Sequence, residues 1–196
     1  MDYTAIILAG GKSSRFGSDK TKLKINGELI IQSIVNKCKK KFSEIIIVSN
    51  QQNKFNIPGV KEVSDSYLGY GPLGGIHAGL SAATSQVCFV SACDMPLFHL
   101  PLVEYILSKS QGYDIAVPRE SNGNLQPLFA AYTKNTLHQI ESLLLENKNS
   151  ILNLYKITNV FYIDESDWKK KIRENEDVFY NINYGADYER FVSENE

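Results

Sequence analysis

Short apolar runs alternate with stretches of helical period along most of the chain, and this alternation constrains the fold more than any other feature. Thr4 to Leu8 (TAIIL), Glu44 to Ser49 (EIIIVS), Val60 to Ser64, Gln86 to Ala92 (QVCFVSA) and Asp114 to Pro118 each read as a strand bounded by turn-forming residues. Runs that are apolar throughout, rather than at every second position, belong to strands covered on both faces. Between them, Glu28 to Phe42 carries Ile30, Ile31, Ile34, Val35 and Cys38 on one helical stripe. Leu73 to Ala83 reads as a second helix, whose small residues allow close approach to the sheet. Leu100, Val103, Ile106 and Leu107 mark a third. Strands and helices in this order require crossover connections, so the expected architecture is α/β: a doubly wound, mainly parallel sheet in three layers, with helices on both faces. A chain of 196 residues can bury one sizeable core, and residues 1–196 are expected to form one domain.

Beyond Glu120 the alternation loosens. "SNGN" signals a turn, Leu128 to Tyr132 reads as a strand, and Leu137, Ile140 and Leu144 mark a helix. Asn159 to Ile163 and Val178 to Ile182 are expected as further strands before a terminal helix, with the charged stretch Asp164 to Asp177 as an exposed excursion.

Bulk properties exclude several classes. Lys and Arg total 21 against 22 Asp and Glu, so no net field favours nucleic acid or an anionic membrane. No apolar run approaches the roughly 20 residues of a membrane span, and Met1 to Leu8 lacks signal-peptide character, so a cytoplasmic location is expected. Cys38, Cys88 and Cys93 have no C-x-x-C spacing and suit reduced core thiols better than a disulfide frame or zinc site. Lys37, Lys39, Lys40 and Lys41 fit a solvated face at the negative end of a helix dipole.

The loop after the first strand, "LAGGKSSRFGSDK" from Leu8 to Lys20, concentrates glycine, serine and cations where open parallel sheets bind ligands. Gly10 and Gly11 let the backbone approach an anion closely, Arg15 offers a fork of donors, and Lys20 a compact charge. The loop suits a polyphosphate, although a Gly-Gly pair after a strand also makes a plain turn. It is not a Walker A loop, whose first glycine would fall at Ile6, nor a G-x-G-x-x-G dinucleotide fingerprint, since Gly10 and Gly11 are adjacent.

A second feature lies at the end of the Gln86 to Ala92 strand, in Cys93, Asp94, Met95 and Pro96. A carboxylate emerging there needs a partner, and a hard divalent cation on phosphate oxygens is one; capping the next helix is the alternative. Asp65, after the third strand, can accept hydrogen bonds from a ribose or base, or form a turn. His77, His99 and His138 lack metal-ligand spacing, and Ser13 and Ser14 lack a nucleophile elbow.

Taken together, "LAGGKSSRFGSDK", "DSYLGYGPLGG", "ACDMP", "QPLFAAY" and "NIN" resemble the molybdenum cofactor guanylyltransferases, within the wider nucleotidyltransferases carrying L-x-G-G-x-x-x-R-[MF]-G-x-x-K loops. The resemblance runs from Ile6 to about Tyr188 and implies a Rossmann-like nucleotidyltransferase fold, with the nucleotide half at about 1–100 and the acceptor half at about 101–196. It implies transfer of GMP from GTP to molybdopterin carrying molybdenum, with release of pyrophosphate and dependence on Mg²⁺. Leu8, Ala9 and Gly10 would line the nucleotide, with Asn50 and Asp65 on the guanosine. Lys20, Arg15 and Gly11 would meet the phosphates, and Asp94 would bind Mg²⁺. Gln126, Asn181 and Asn183 would face the pterin. After "NIN" the family commonly continues Thr-Pro and an acidic pair; here Tyr184, Gly185, Ala186 and Asp187 follow. Transient contact with molybdoenzyme-maturation proteins is a further expectation. Other readings are a cytidylyltransferase on the same cofactor, a nucleotidyltransferase acting on a sugar or alcohol phosphate, and a non-catalytic nucleotide-binding carrier of the cofactor.

Overall fold

The computed structural model describes residues 2–10, 23–51, 53–67, 69–173 and 176–195. Its first strand, β1 (Tyr3–Leu8), lies inside a seven-stranded sheet, paired in parallel with β4 (Glu44–Ser49) on one side and β6 (Val87–Ala92) on the other. β5 (Lys61–Ser64) extends the parallel block beyond β4. On the other flank β8 (Phe129–Thr133) inserts antiparallel between β6 and β7 (Ile115–Arg119), and β9 (Val160–Asp164) closes the edge parallel to β7. The resulting order, β5-β4-β1-β6-β8-β7-β9, is the mainly parallel α/β sheet expected.

Alternate residues of β1 enter two separate cores, which is why the run is apolar at every position. Ala5 and Ile7 pack with α1 (Ile30–Cys38) and α3 (Leu100–Lys109), together with Phe89, Phe129 and Trp168. Ile6 and Leu8 pack on the opposite face with α2 (Pro72–Ala82), α4 (Leu137–Leu145) and the short α5 (Ile151–Tyr155). Helix α2 lies unusually close to β1. A Cβ on Gly79 would stand 2.4 Å from Ile6 Cγ2, and one on Gly75 would stand 3.2 Å from Leu8 Cδ2. Both glycines are there because the helix backbone rests directly on the strand's side chains.

The structure corrects three local expectations. Glu28 and Leu29 do not begin a helix but form β3, paired antiparallel with β2 (Lys24–Ile25) through Asn26 and Gly27 at φ of 50° and 78°. Asn-Gly is the sequence signal for such a hairpin, and the strong helical stripe that begins at Ile30 obscured it. Val178 to Ile182 is not a strand: the edge beside β7 is taken by β9, and Phe179 instead packs edge-on against Phe129 and Trp168, with ring centroids 5.7 and 4.9 Å apart. Nor is Asp164 to Asp177 wholly exposed. It contains α6 (Glu165–Trp168), whose Trp168 is 4% exposed and donates its indole N–H to the Arg119 carbonyl at 3.1 Å.

Candidate active site

The carboxyl ends of the parallel strands open side by side. The register that pairs Leu8 with Val48 and Ala92 continues past the strands, with Ala9 N–H donating to Val48 O at 2.8 Å and Cys93 N–H to Leu8 O at 3.0 Å. Gly10 therefore leaves the sheet between Asn50 and Asp94, which follow the two neighbouring strands. The contact with Asn50 is close: a Cβ on residue 10 would stand 2.9 Å from its Oδ1. Leu8 and Ala9 are buried as the strand enters the loop, and Gly10 is exposed. Gly11, Arg15 and Lys20 lie outside the described residues.

Asp65 follows β5 at the same end, its N–H donating to Ser49 O at 3.4 Å. Its Oδ1 accepts the Tyr67 N–H at 2.8 Å, so the turn-forming reading of this residue holds. The carboxylate also lies against α2, where a Cβ on Gly74 would stand 2.9 and 3.0 Å from its two oxygens. Only glycine at position 74 lets this acidic group settle over the first turn of α2.

Asp94 does not cap the following helix. That helix is α3, and its cap is His99, whose Nδ1 accepts the Leu102 N–H at 3.3 Å. The Asp94 turn is instead anchored by Met95 and Phe98, 2% and 3% exposed, and by Ile182, whose N–H donates to the Asp94 carbonyl at 3.0 Å. That bond brings Asn181 and Asn183 beside the acidic turn. Asn181 Nδ2 donates to Phe179 O at 2.8 Å, and the Asn183 N–H donates to Asp187 Oδ2 at 2.8 Å.

Gln126 reaches the same end of the sheet because β8 runs antiparallel and starts where β6 finishes, with Ala92 N–H donating to Leu128 O at 3.0 Å. Its side-chain amide donates to Glu120 Oε1 at 2.7 Å, while Phe129 N–H donates to the Gln126 backbone carbonyl at 3.0 Å. Beneath this turn the buried Tyr132 hydroxyl donates to Pro127 O at 2.9 Å and lies 3.0 Å from the Tyr155 hydroxyl. Burial pushes both phenols above their ordinary range, so the pair stays neutral. The structure thus brings Gly10, Asn50, Asp65, Asp94, Gln126, Asn181 and Asn183 to one edge of the sheet, from six separate stretches of chain.

Mg²⁺ dehydrates reluctantly and is commonly held by one or two carboxylates together with phosphate oxygens and water. The half-buried carboxylate of Asp94, on the strand exit next to Gly10, fits that pattern. Among the described residues no group of three or more His, Cys, Asp or Glu side chains could hold a metal without a substrate's help. Cys38 and Cys88 are buried thiols, and burial pushes them up to about 12.

Residues 5–158 match the family model described as the MobA-like NTP transferase domain. The chain belongs to that family. It is 37% identical over 187 residues, 95% of its length and 90% of the relative's, to a protein of Pelotomaculum thermopropionicum named a probable molybdenum cofactor guanylyltransferase. A protein of Peptoclostridium acidaminophilum with the same name is 38% identical over 92% of this chain and 84% of its own. Among solved structures, molybdopterin-guanine dinucleotide biosynthesis protein A from Archaeoglobus fulgidus superposes with a TM-score of 0.83 at 24% identity, covering 97% of each chain. This MobA-like chain therefore has the nucleotidyltransferase fold expected of it. The family model stops short of residues 159–196, which hold β9, α6, α7 (Gly185–Asn195) and the Ile182 contact with Asp94. Sequence reading missed Asp187 in this segment; the signal was an acidic residue at the third position of the terminal helix.

Proposed function

We propose that the chain transfers GMP from GTP to molybdopterin carrying molybdenum, forming the guanine dinucleotide and pyrophosphate in the cytoplasm. The observation that carries this reading is the juxtaposition of Gly10 and Asp94 on adjacent strand exits. It is supported by relatives whose names state this activity over most of the chain.

A terminal phosphate oxygen of molybdopterin attacks the α-phosphorus of GTP; the new P–O bond forms as the bond to the β-phosphate bridging oxygen breaks, and pyrophosphate leaves. The nucleophile is already an anion, so the protein's task is alignment and charge neutralisation rather than proton removal. Backbone at Leu8, Ala9 and Gly10 bears on the nucleotide, with Asn50 and Asp65 holding the guanosine. Gly11, Arg15 and Lys20 bind its phosphates. Gln126, Asn181 and Asn183 orient the pterin, with Glu120 holding the Gln126 side-chain amide nitrogen. Asp94 would hold Mg²⁺, which when bound neutralises charge on the triphosphate.

The test is incubation of the purified chain with molybdopterin, molybdate, Mg²⁺ and each nucleoside triphosphate in turn, with the product identified by mass. A guanine dinucleotide with stoichiometric pyrophosphate is expected. A cytosine dinucleotide would reassign the base, and GTP binding without pyrophosphate release would point to a carrier.

A further inference from the structure

Helix α7 begins after Tyr184, a residue whose side chain has no place as a helix cap, and the acceptor comes from within the helix instead. Asp187 Oδ2 accepts two backbone N–H groups, those of Asn183 and Tyr184, each at 2.8 Å. A carboxylate in the first helical turn is favoured by the dipole and satisfies donors the helix leaves open. The two donors belong to the stretch that lies against the metal-ligand candidate, since Ile182 N–H donates to Asp94 O at 3.0 Å and the Ile182 side chain is fully buried. Asp187 is itself pinned. Its carbonyl accepts the Tyr180 hydroxyl at 2.9 Å, and the next residue, Tyr188, donates its hydroxyl to the carbonyl of Lys24 in the β2–β3 hairpin. Residues 180–188 thus run as a clasp from the Asp94 turn to the hairpin that follows the cationic loop.

We infer that Asp187 is a positioning residue that fixes the backbone of Asn183 and Tyr184 and so sets the acceptor side of the site. This rests on the proposed reaction for its kinetic consequence, but not for its structural one. Two charge-assisted bonds to adjacent amides are lost together in Asp187→Ala, whereas Asp187→Asn keeps an acceptor oxygen.

Steady-state kinetics of the full chain with the molybdenum cofactor and GTP varied separately should show the cofactor KM rising about tenfold or more in Asp187→Ala. The KM for GTP should stay within about twofold, and Asp187→Asn should recover most of the loss. Amide hydrogen exchange should show faster exchange at Asn183 and Tyr184 in Asp187→Ala with β1 and β6 unchanged. An unchanged cofactor KM, an equal rise in both KM values, or unchanged exchange at the two amides overturns the inference. Wild-type protein that makes no dinucleotide would overturn the proposed reaction instead, and the exchange measurement would still decide the role of Asp187.

Discussion

Gly10 lies against the side chain of Asn50 so closely that any Cβ at position 10 would stand 2.9 Å from Asn50 Oδ1. The obstructing atom is the end of an exposed side chain, not backbone, so the fold can accommodate alanine by displacing the Asn50 amide. In the proposed reaction substrate binding should not be so tolerant, because the displaced group and the added methyl would occupy the nucleotide's approach. Gly10→Ala is expected to raise the KM for GTP by about tenfold or more while the midpoint of urea unfolding stays within experimental scatter. A lowered midpoint with unchanged KM would contradict this.

Asp94 is held by Ile182 through its backbone carbonyl, and that bond does not involve the carboxylate proposed to hold Mg²⁺. Asp94→Ala should lose turnover by about a hundredfold or more, the scale of removing one electrostatic contact made to a transition state. Wild-type rates across a Mg²⁺ titration of the purified variant would refute the metal assignment.

Helix α2 depends on the absence of a side chain at Gly79. The ideal Cβ there overlaps Ile6 Cγ2 at 2.4 Å, and Ile6 is fully buried with no room to yield. Gly79→Ala should destabilise the protein by about 1–3 kcal/mol, the range for overpacking a dense core. Gly75→Ala meets Leu8 at 3.2 Å and should cost less. Equilibrium urea unfolding of the two variants gives the comparison.

Glu44 joins β4 to β1 and to the chain after α2, accepting at one oxygen from Thr4 Oγ1, Thr84 N and Thr84 Oγ1 at 2.7, 2.8 and 2.9 Å. Burial alone would raise its carboxyl, but the bonds from Thr84 and Thr4 outweigh this and hold it below the ordinary value of 4.5. A carboxyl depressed in the folded state contributes stability that is present above the unfolded pKa and is lost as pH falls through the folded one. Unfolding free energy should therefore fall between neutral pH and the acid range more steeply in wild type than in Glu44→Gln. Parallel pH profiles would remove this group from the account.

Much of the strand and helix content was legible because it depends on local pattern. The β4 boundaries match the expected run, and those of β1, β6, β7, β8 and β9 differ from it by about one residue, since side-chain period and turn residues mark them directly. Asn26 and Gly27 were equally legible as a hairpin, but the neighbouring helical stripe took precedence. Trp168 and Phe179 were misjudged because their burial depends on Arg119 and Phe129, which are distant in sequence.

By itself the sequence determined the α/β alternation, the glycine-rich and cationic character of the first loop, and the acidic residue after the fourth main strand, because these are properties of single segments. Only the tertiary structure decided that β8 inserts between β6 and β7, that Asp94 is no helix cap, and that Ile182 clasps its turn. Those outcomes are set by which backbone groups find partners across the folded chain, a competition among distant segments that no local period or motif encodes.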